Sequence, residues 1–208
     1  HELKHLAEEL IGNYPNLKDS FANLGITDPK KVTQVFKEGW QSLGHWHHDQ
    51  GSADMGATTT ADSTHVRDEH HHHHSVTDYG TTNPLEDFAE ASRMFDKDLA
   101  RVLRHSPEKF LYLNMLKGTF DPNSKEFKHL AQKVLGSQWE SKIREALGKM
   151  LGYGKEPLQM PPAMAITLAD FYAPLMDDKF KALMESPPGS AEKPPLALTP
   201  KQPGYVMD

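Results

Sequence analysis

Cysteine is absent from all 208 residues, which excludes disulfides, thiolate zinc sites and a cysteine nucleophile. Positive charge is scarce too: 23 Lys and Arg against 29 Asp and Glu leave a formal net charge of -6. Nucleic-acid binders draw affinity from neutralising phosphates, and no local basic cluster offsets the deficit. No apolar run is long enough to span a bilayer. Convincing strand alternation is missing, and so is any internal repeat. Mean hydropathy of -0.65 lies on the polar side, so part of the length is expected to stay outside a packed core. What is left is one domain's worth of chain, helical in pattern.

The sequence opens on His1, and nothing resembling a signal peptide follows. Any targeting segment is expected upstream of it or already removed. The compartment stays open, because a cysteine-free chain suits both reducing and oxidising surroundings.

Helical periodicity runs from His1 to about Tyr14 through Leu3, Leu6, Leu10 and Ile11, with Gly12, Asn13 and Pro15 as the stop. Asp28-Pro29 then pairs an N-cap with proline at the first helical position, and Val32, Val35, Phe36 and Trp40 form the expected buried stripe up to Gly44. Residues 1–44 are thus the active-site helix and the helices after it. From His45 to Asp78 the pattern gives way to a mobile loop rich in His, Gly, Ser, Thr and Asp, of a length that is functional or disordered in most domains. Residues 79–185 form a helical subdomain broken at Pro107, Asp121-Pro122 and Gly136, with Pro174 kinking or splitting the last helix. Residues 186–208 are a proline-rich extended tail.

The first five letters, HELKH, carry chemistry. On a helix, residues i and i+4 share a face, so His1 and His5 can present two imidazole nitrogens to one ion. Zinc accepts two such nitrogens and a carboxylate oxygen, and a catalytic site leaves the fourth position to water. The ion brings the pKa of that water to about 7, and Glu2, one residue along, is placed to take its proton. With 13 histidines in the chain, roughly 0.06 chance matches to the pattern are expected. A solvated helix face is the competing reading, so a third ligand has to support the first.

A carboxylate on a later helix is available in "SVTDYGTTNPLEDFAEASRMF". Glu86 and Glu90 are four apart and share a face, roughly opposite a buried side of Leu85, Phe88, Ala89 and Met94. The same letters also spell an ordinary helix start. Asn83 can cap, Pro84 suits the first position, Glu86 completes a capping box and Asp87 complements the helix dipole.

HELKH followed by YGTTNPLEDFAEASRMF resembles the lethal-factor-type (anthrax toxin protease-like) gluzincin zinc metallopeptidases, over residues 1–5 and about 76–94, with a weaker echo in SPEKFLYLN. The resemblance implies His1, His5 and Glu86 as ligands of one catalytic zinc ion and Glu2 as general base. It makes Tyr79 the donor to the oxyanion, a role suited to a neutral phenol. Glu90 would accept the second ring N–H of a ligand histidine and fix its tautomer. It further implies a zincin-like α+β domain, of which this mainly α chain is the helical C-terminal portion. Such zincins set the active-site helix after a mixed sheet whose edge strand binds substrate by strand addition. The 208 residues hold no such sheet ahead of the active-site helix, so an upstream part of the same domain is expected. The 208 residues alone are then expected to bind zinc weakly and cleave little.

The run DEHHHHH brings His70, His71, His72, His73 and His74 together. These are an adventitious site for zinc, copper or nickel, or an insertion without a role, and GHWHHDQ shares the ambiguity. Two other functions stay open. A free N-terminal histidine chelates copper in polysaccharide mono-oxygenases, but those resemble β-sandwiches and this chain reads helical. A non-catalytic helical metal-binding or interaction module, an inactive relative, is the second. Substrates are expected to be peptides or proteins, with specificity unread.

Overall fold

Proline opens most of the helices. The computed structural model describes residues 14–48, 65–66, 75–81, 83–154 and 156–178. Within them the elements run α1 (Pro15–Asn23), α2 (Pro29–Leu43), β1 (His47–His48), β2 (His65–Val66), α3 (Pro84–His105), α4 (Pro107–Lys117), α5 (Lys125–Leu135), α6 (Trp139–Met150) and α7 (Pro162–Phe171). Short 3-10 turns cover Tyr79–Thr81, Gly136–Gln138 and Ala173–Leu175. Among the described residues the architecture is mainly helical. Its strands are two antiparallel two-residue segments, with His47 opposite Val66 and His48 opposite His65.

Prolines at the first turn of α1, α2, α3, α4 and α7 lose no hydrogen bond there, since those N–H groups have no intrahelical partner. Side-chain caps complete three of these starts. Asp28 accepts from Lys30 N, Asn83 from Glu86 N and Ser106 from Lys109 N. Pro15 thus corrects the sequence expectation. It is read as a stop, yet it opens α1, because Leu17 and Phe21, one turn apart, are both fully buried. The preceding segment, residues 1–13, lies outside the described residues, and so does the tail 186–208.

The α4 helix is the hub. Phe110, Leu111, Tyr112, Leu113 and Met115 are all fully buried, a helix apolar on every side and enclosed on every side. It packs against α1, α3, α6 and α7. Gly118 ends it in the left-handed region at φ 61, the conformation glycine adopts without strain. On one side of the hub Phe36, Trp40, Phe88 and Tyr112 form an aromatic cluster with centroid separations of 5.0 to 5.9 Å, in the range of favourable edge-on packing. Val32, Phe36 and Trp40 are buried as their spacing predicts, while Val35 is half-buried.

Buried polar groups tie the layers together. Tyr112 Oη donates to the Phe36 carbonyl at 2.8 Å and Tyr172 Oη to the Leu111 carbonyl at 2.5 Å. Asn114 closes the α4–α5 connection by exchanging hydrogen bonds with both backbone groups of Phe120. Two breaks differ from a simple helical reading. α3 bends at Asp98, whose φ of -152 is non-helical and whose side chain caps the following turn at Arg101 N. The last helix stops at Phe171, and the 3-10 turn holding Pro174 follows it, so the proline splits the segment.

Candidate active site

Three of the side chains singled out in the sequence as site residues are described, two on the first turns of α3 and one just before it. Glu86 and Glu90 lie on successive turns at 6% and 8% exposure, and Tyr79 lies on the 3-10 turn just before the helix, 51% exposed. His1, Glu2, His5 and His70 to His74 lie outside the described residues. Among the described residues no three His, Asp or Glu side chains group around a metal position.

The helix face differs from the expected one. Phe88 and Met94 are buried as expected, but Leu85 and Ala89 are half-buried and Glu86, Asp87 and Glu90 are buried as well. An apolar side opposite an acidic one does not describe it: the start of α3 is enclosed around most of its circumference. Burying carboxylates costs several kcal/mol each unless they are paired, so their partners decide what the site can do.

Glu90 has a described set of partners. Arg93 Nε reaches Glu90 Oε1 at 3.1 Å and Arg93 Nη2 reaches Oε2 at 2.7 Å, a bidentate fork. Thr77 Oγ1 donates to Oε2 at 3.0 Å. The hydrogen bond to Glu90 first, and its charge second, raise the Arg93 guanidinium pKa further above its ordinary value. Glu90 is therefore oriented by its own helix and by the Tyr79 segment together. The expected contact with a histidine ring falls on residues outside the described set.

Glu86 owes its position to the cap. Its backbone N–H donates to Asn83 Oδ1 at 2.9 Å, which fixes the first turn. Tyr79 reaches its position through a different route. Gly80 N donates to the Thr77 carbonyl at 3.1 Å and lies 3.2 Å from Thr77 Oγ1, while Arg101 Nη2 holds the Val76 carbonyl at 3.1 Å. Gly80 lies against α3, where a Cβ would be in ordinary contact with Asp87, 3.4 Å from Oδ1 and 3.5 Å from Cα. The phenol is thus carried on a turn fastened to the acidic helix, with half its surface open to solvent.

Asp87 is what the sequence reading misses. It is not simply a helix-dipole residue. It is 1% exposed, and both its oxygens lie 2.7 Å from the ammonium of Lys109, itself fully buried. Ser75 Oγ lies 3.1 Å from Asp87 Oδ1 and Trp46 Nε1 lies 3.3 Å from Oδ2. Trp46 stands at the start of the His-rich stretch and Ser75 at its end, so one carboxylate pins both ends. The signal available in the sequence is Lys109 itself, a lone cation leading the apolar run FLYLNML.

Compared with known proteins, the chain matches no family model, no curated sequence and no solved structure. No helix among the described residues is long and apolar enough to cross a membrane.

Proposed function

We propose that the chain is the helical part of a zinc-dependent peptidase of the lethal-factor type, hydrolysing peptide bonds in peptide or protein substrates. The observation that carries the proposal is two buried carboxylates, Glu86 and Glu90, on the first turns of one helix, just after a turn bearing the exposed phenol of Tyr79 and downstream of an H-E-x-x-H sequence.

The donor set suits zinc. Two imidazoles and one carboxylate are ligands of the right hardness and number for a catalytic site, and Glu86 is an enclosed carboxylate whose backbone is fixed by a cap. His1, His5 and Glu86 would hold the ion. When bound, zinc supplies Lewis acidity and brings the ionisation of water into the neutral range.

The remaining steps belong to side chains of this chain. Glu2 accepts the proton of the attacking water and passes it to the departing amine. Tyr79 donates its phenolic hydrogen to the carbonyl oxygen as that oxygen gains negative charge, and retains it otherwise. Its solvent-open position leaves room for a substrate beside it. Glu90, held by Arg93 and Thr77, keeps the ligand array in one orientation.

The test is Glu2→Gln in the full-length protein. Zinc content should be unchanged and peptide hydrolysis should disappear. Hydrolysis that survives with zinc bound would remove Glu2 from the mechanism. A wild-type protein that binds zinc stoichiometrically and cleaves nothing would favour the non-catalytic helical metal-binding module.

A further inference from the structure

We propose that Asp87 and Lys109 are positioning residues, whose buried ion pair sets the Tyr79 turn against the carboxylate face of α3. The inference rests on the peptidase reading above and adds a device outside the sequence motifs.

A continuous chain of contacts supports it. Lys109 Nζ lies 2.7 Å from both oxygens of Asp87. Ser75 Oγ lies 3.1 Å from Asp87 Oδ1 and 3.0 Å from the carbonyl of Gly80, sharing its one proton between them. Gly80 follows Tyr79 directly. From the other side Thr77 Oγ1 joins Glu90 to the same turn. The turn that carries the phenol is therefore tied to Asp87 through Ser75 and to Glu90 through Thr77.

Physical economy argues that this pair is not there for stability. Removing two charges from water costs as much as their attraction returns, and an apolar pair of similar volume is commonly as stable or more so. The surroundings would suit such a pair, since Trp40, with Lys109 Nζ 5.3 Å from its ring centroid, is part of the aromatic cluster. What an apolar pair cannot do is accept a hydrogen bond from Ser75. Directional bonding to a fixed carboxylate holds the turn in one register, and misplacement by about 1 Å can cost about a hundredfold in rate.

Two variants of the full-length protein test this, Asp87→Leu/Lys109→Met and Ser75→Ala, the second leaving the ion pair in place. Three readouts apply: zinc content, steady-state kinetics, and the 19F spectrum with 3-fluorotyrosine in place of Tyr79. Both variants should stay helical and hold zinc. Their kcat should fall about tenfold or more with KM within about twofold, as for loss of an interaction made only in the transition state. In a Tyr79→Phe background the same changes should add less than about twofold, because they act through a group already removed. The 19F resonance should move and broaden in both variants.

An unchanged 19F resonance in folded variants, or losses that multiply fully in the Tyr79→Phe background, would overturn the proposal. Should the double variant fail to fold, Ser75→Ala decides by itself. A moved resonance in a protein without peptidase activity would uphold the positioning role and overturn the peptidase reading alone.

Discussion

Asp87 and Lys109 meet in the interior with 2.7 Å between the ammonium nitrogen and each carboxylate oxygen, and neither side chain is more than 1% exposed. Breaking one partner leaves the other charge buried and alone. Lys109→Met or Asp87→Leu should each therefore lose about 3–5 kcal/mol of unfolding free energy. The double replacement should recover most of that loss. Urea denaturation of the three variants measures both, and equal losses in all three would contradict the ion-pair account.

Gly39 faces Tyr112 across the α2–α4 contact. A Cβ there would clash with the Tyr112 hydroxyl and lie 3.0 Å from the Met160 sulfur. That hydroxyl, fully buried, donates to the Phe36 carbonyl, so it cannot yield without leaving a buried donor unpaired. Gly39→Ala should destabilise the fold by about 1–3 kcal/mol despite alanine's better helix propensity. A thermal melt checks this, and a stabilised variant would show that the α2–α4 spacing is looser than described.

Alkali should expose how the tyrosines are packed. Burial raises the pKa of Tyr112 and Tyr172 well above the ordinary phenol value, and that of Tyr153 to about 12. A raised folded-state pKa means the unfolded chain releases its protons first. The contribution is fully present below about pH 10 and is lost as pH rises above it. Denaturation at pH 8 and pH 11 should show lower stability at pH 11. Absorbance at 295 nm should show Tyr112 and Tyr172 ionising only as the fold is lost. Ionisation of all six tyrosines near pH 10 in a folded protein would contradict their burial.

Glu90 offers a test of the proposed ligand array at a residue outside the proposed ligands. In a protein with His70 to His74 replaced by Ala, so that adventitious sites are removed, Glu90→Gln should weaken zinc binding by about 10–100-fold. Chelator competition gives the value. An affinity equal to that of the parent would confine Glu90 to its bonds with Arg93 and Thr77.

Much of the fold is legible in the sequence wherever a cap, a proline and an apolar stripe agree. Asp28-Pro29 with Val32, Phe36 and Trp40 is such a case, and Asn83-Pro84 is another. Pro15 misleads because a helix stop and a helix start use the same residue, and only the burial of Leu17 and Phe21 separates them. The bend at Asp98 leaves no mark, since the apolar spacing continues across it. At the site, Glu86, Glu90 and Tyr79 stand out through motif spacing. Asp87 does not, because a carboxylate in a first turn already has a sufficient local explanation in the helix dipole. Its partner lies 22 residues away, and tertiary pairing at that distance has no periodic signature.

The proposed zinc site requires His1, His5 and Glu86 to converge on one divalent cation. A crystal of the zinc-loaded protein measured on both sides of the zinc absorption edge tests it most directly. The account predicts one strong anomalous peak within about 2.0–2.2 Å of an imidazole nitrogen of His1, one of His5 and a carboxylate oxygen of Glu86. Zinc found only on His70 to His74, with the three expected side chains ordered and apart, would contradict it.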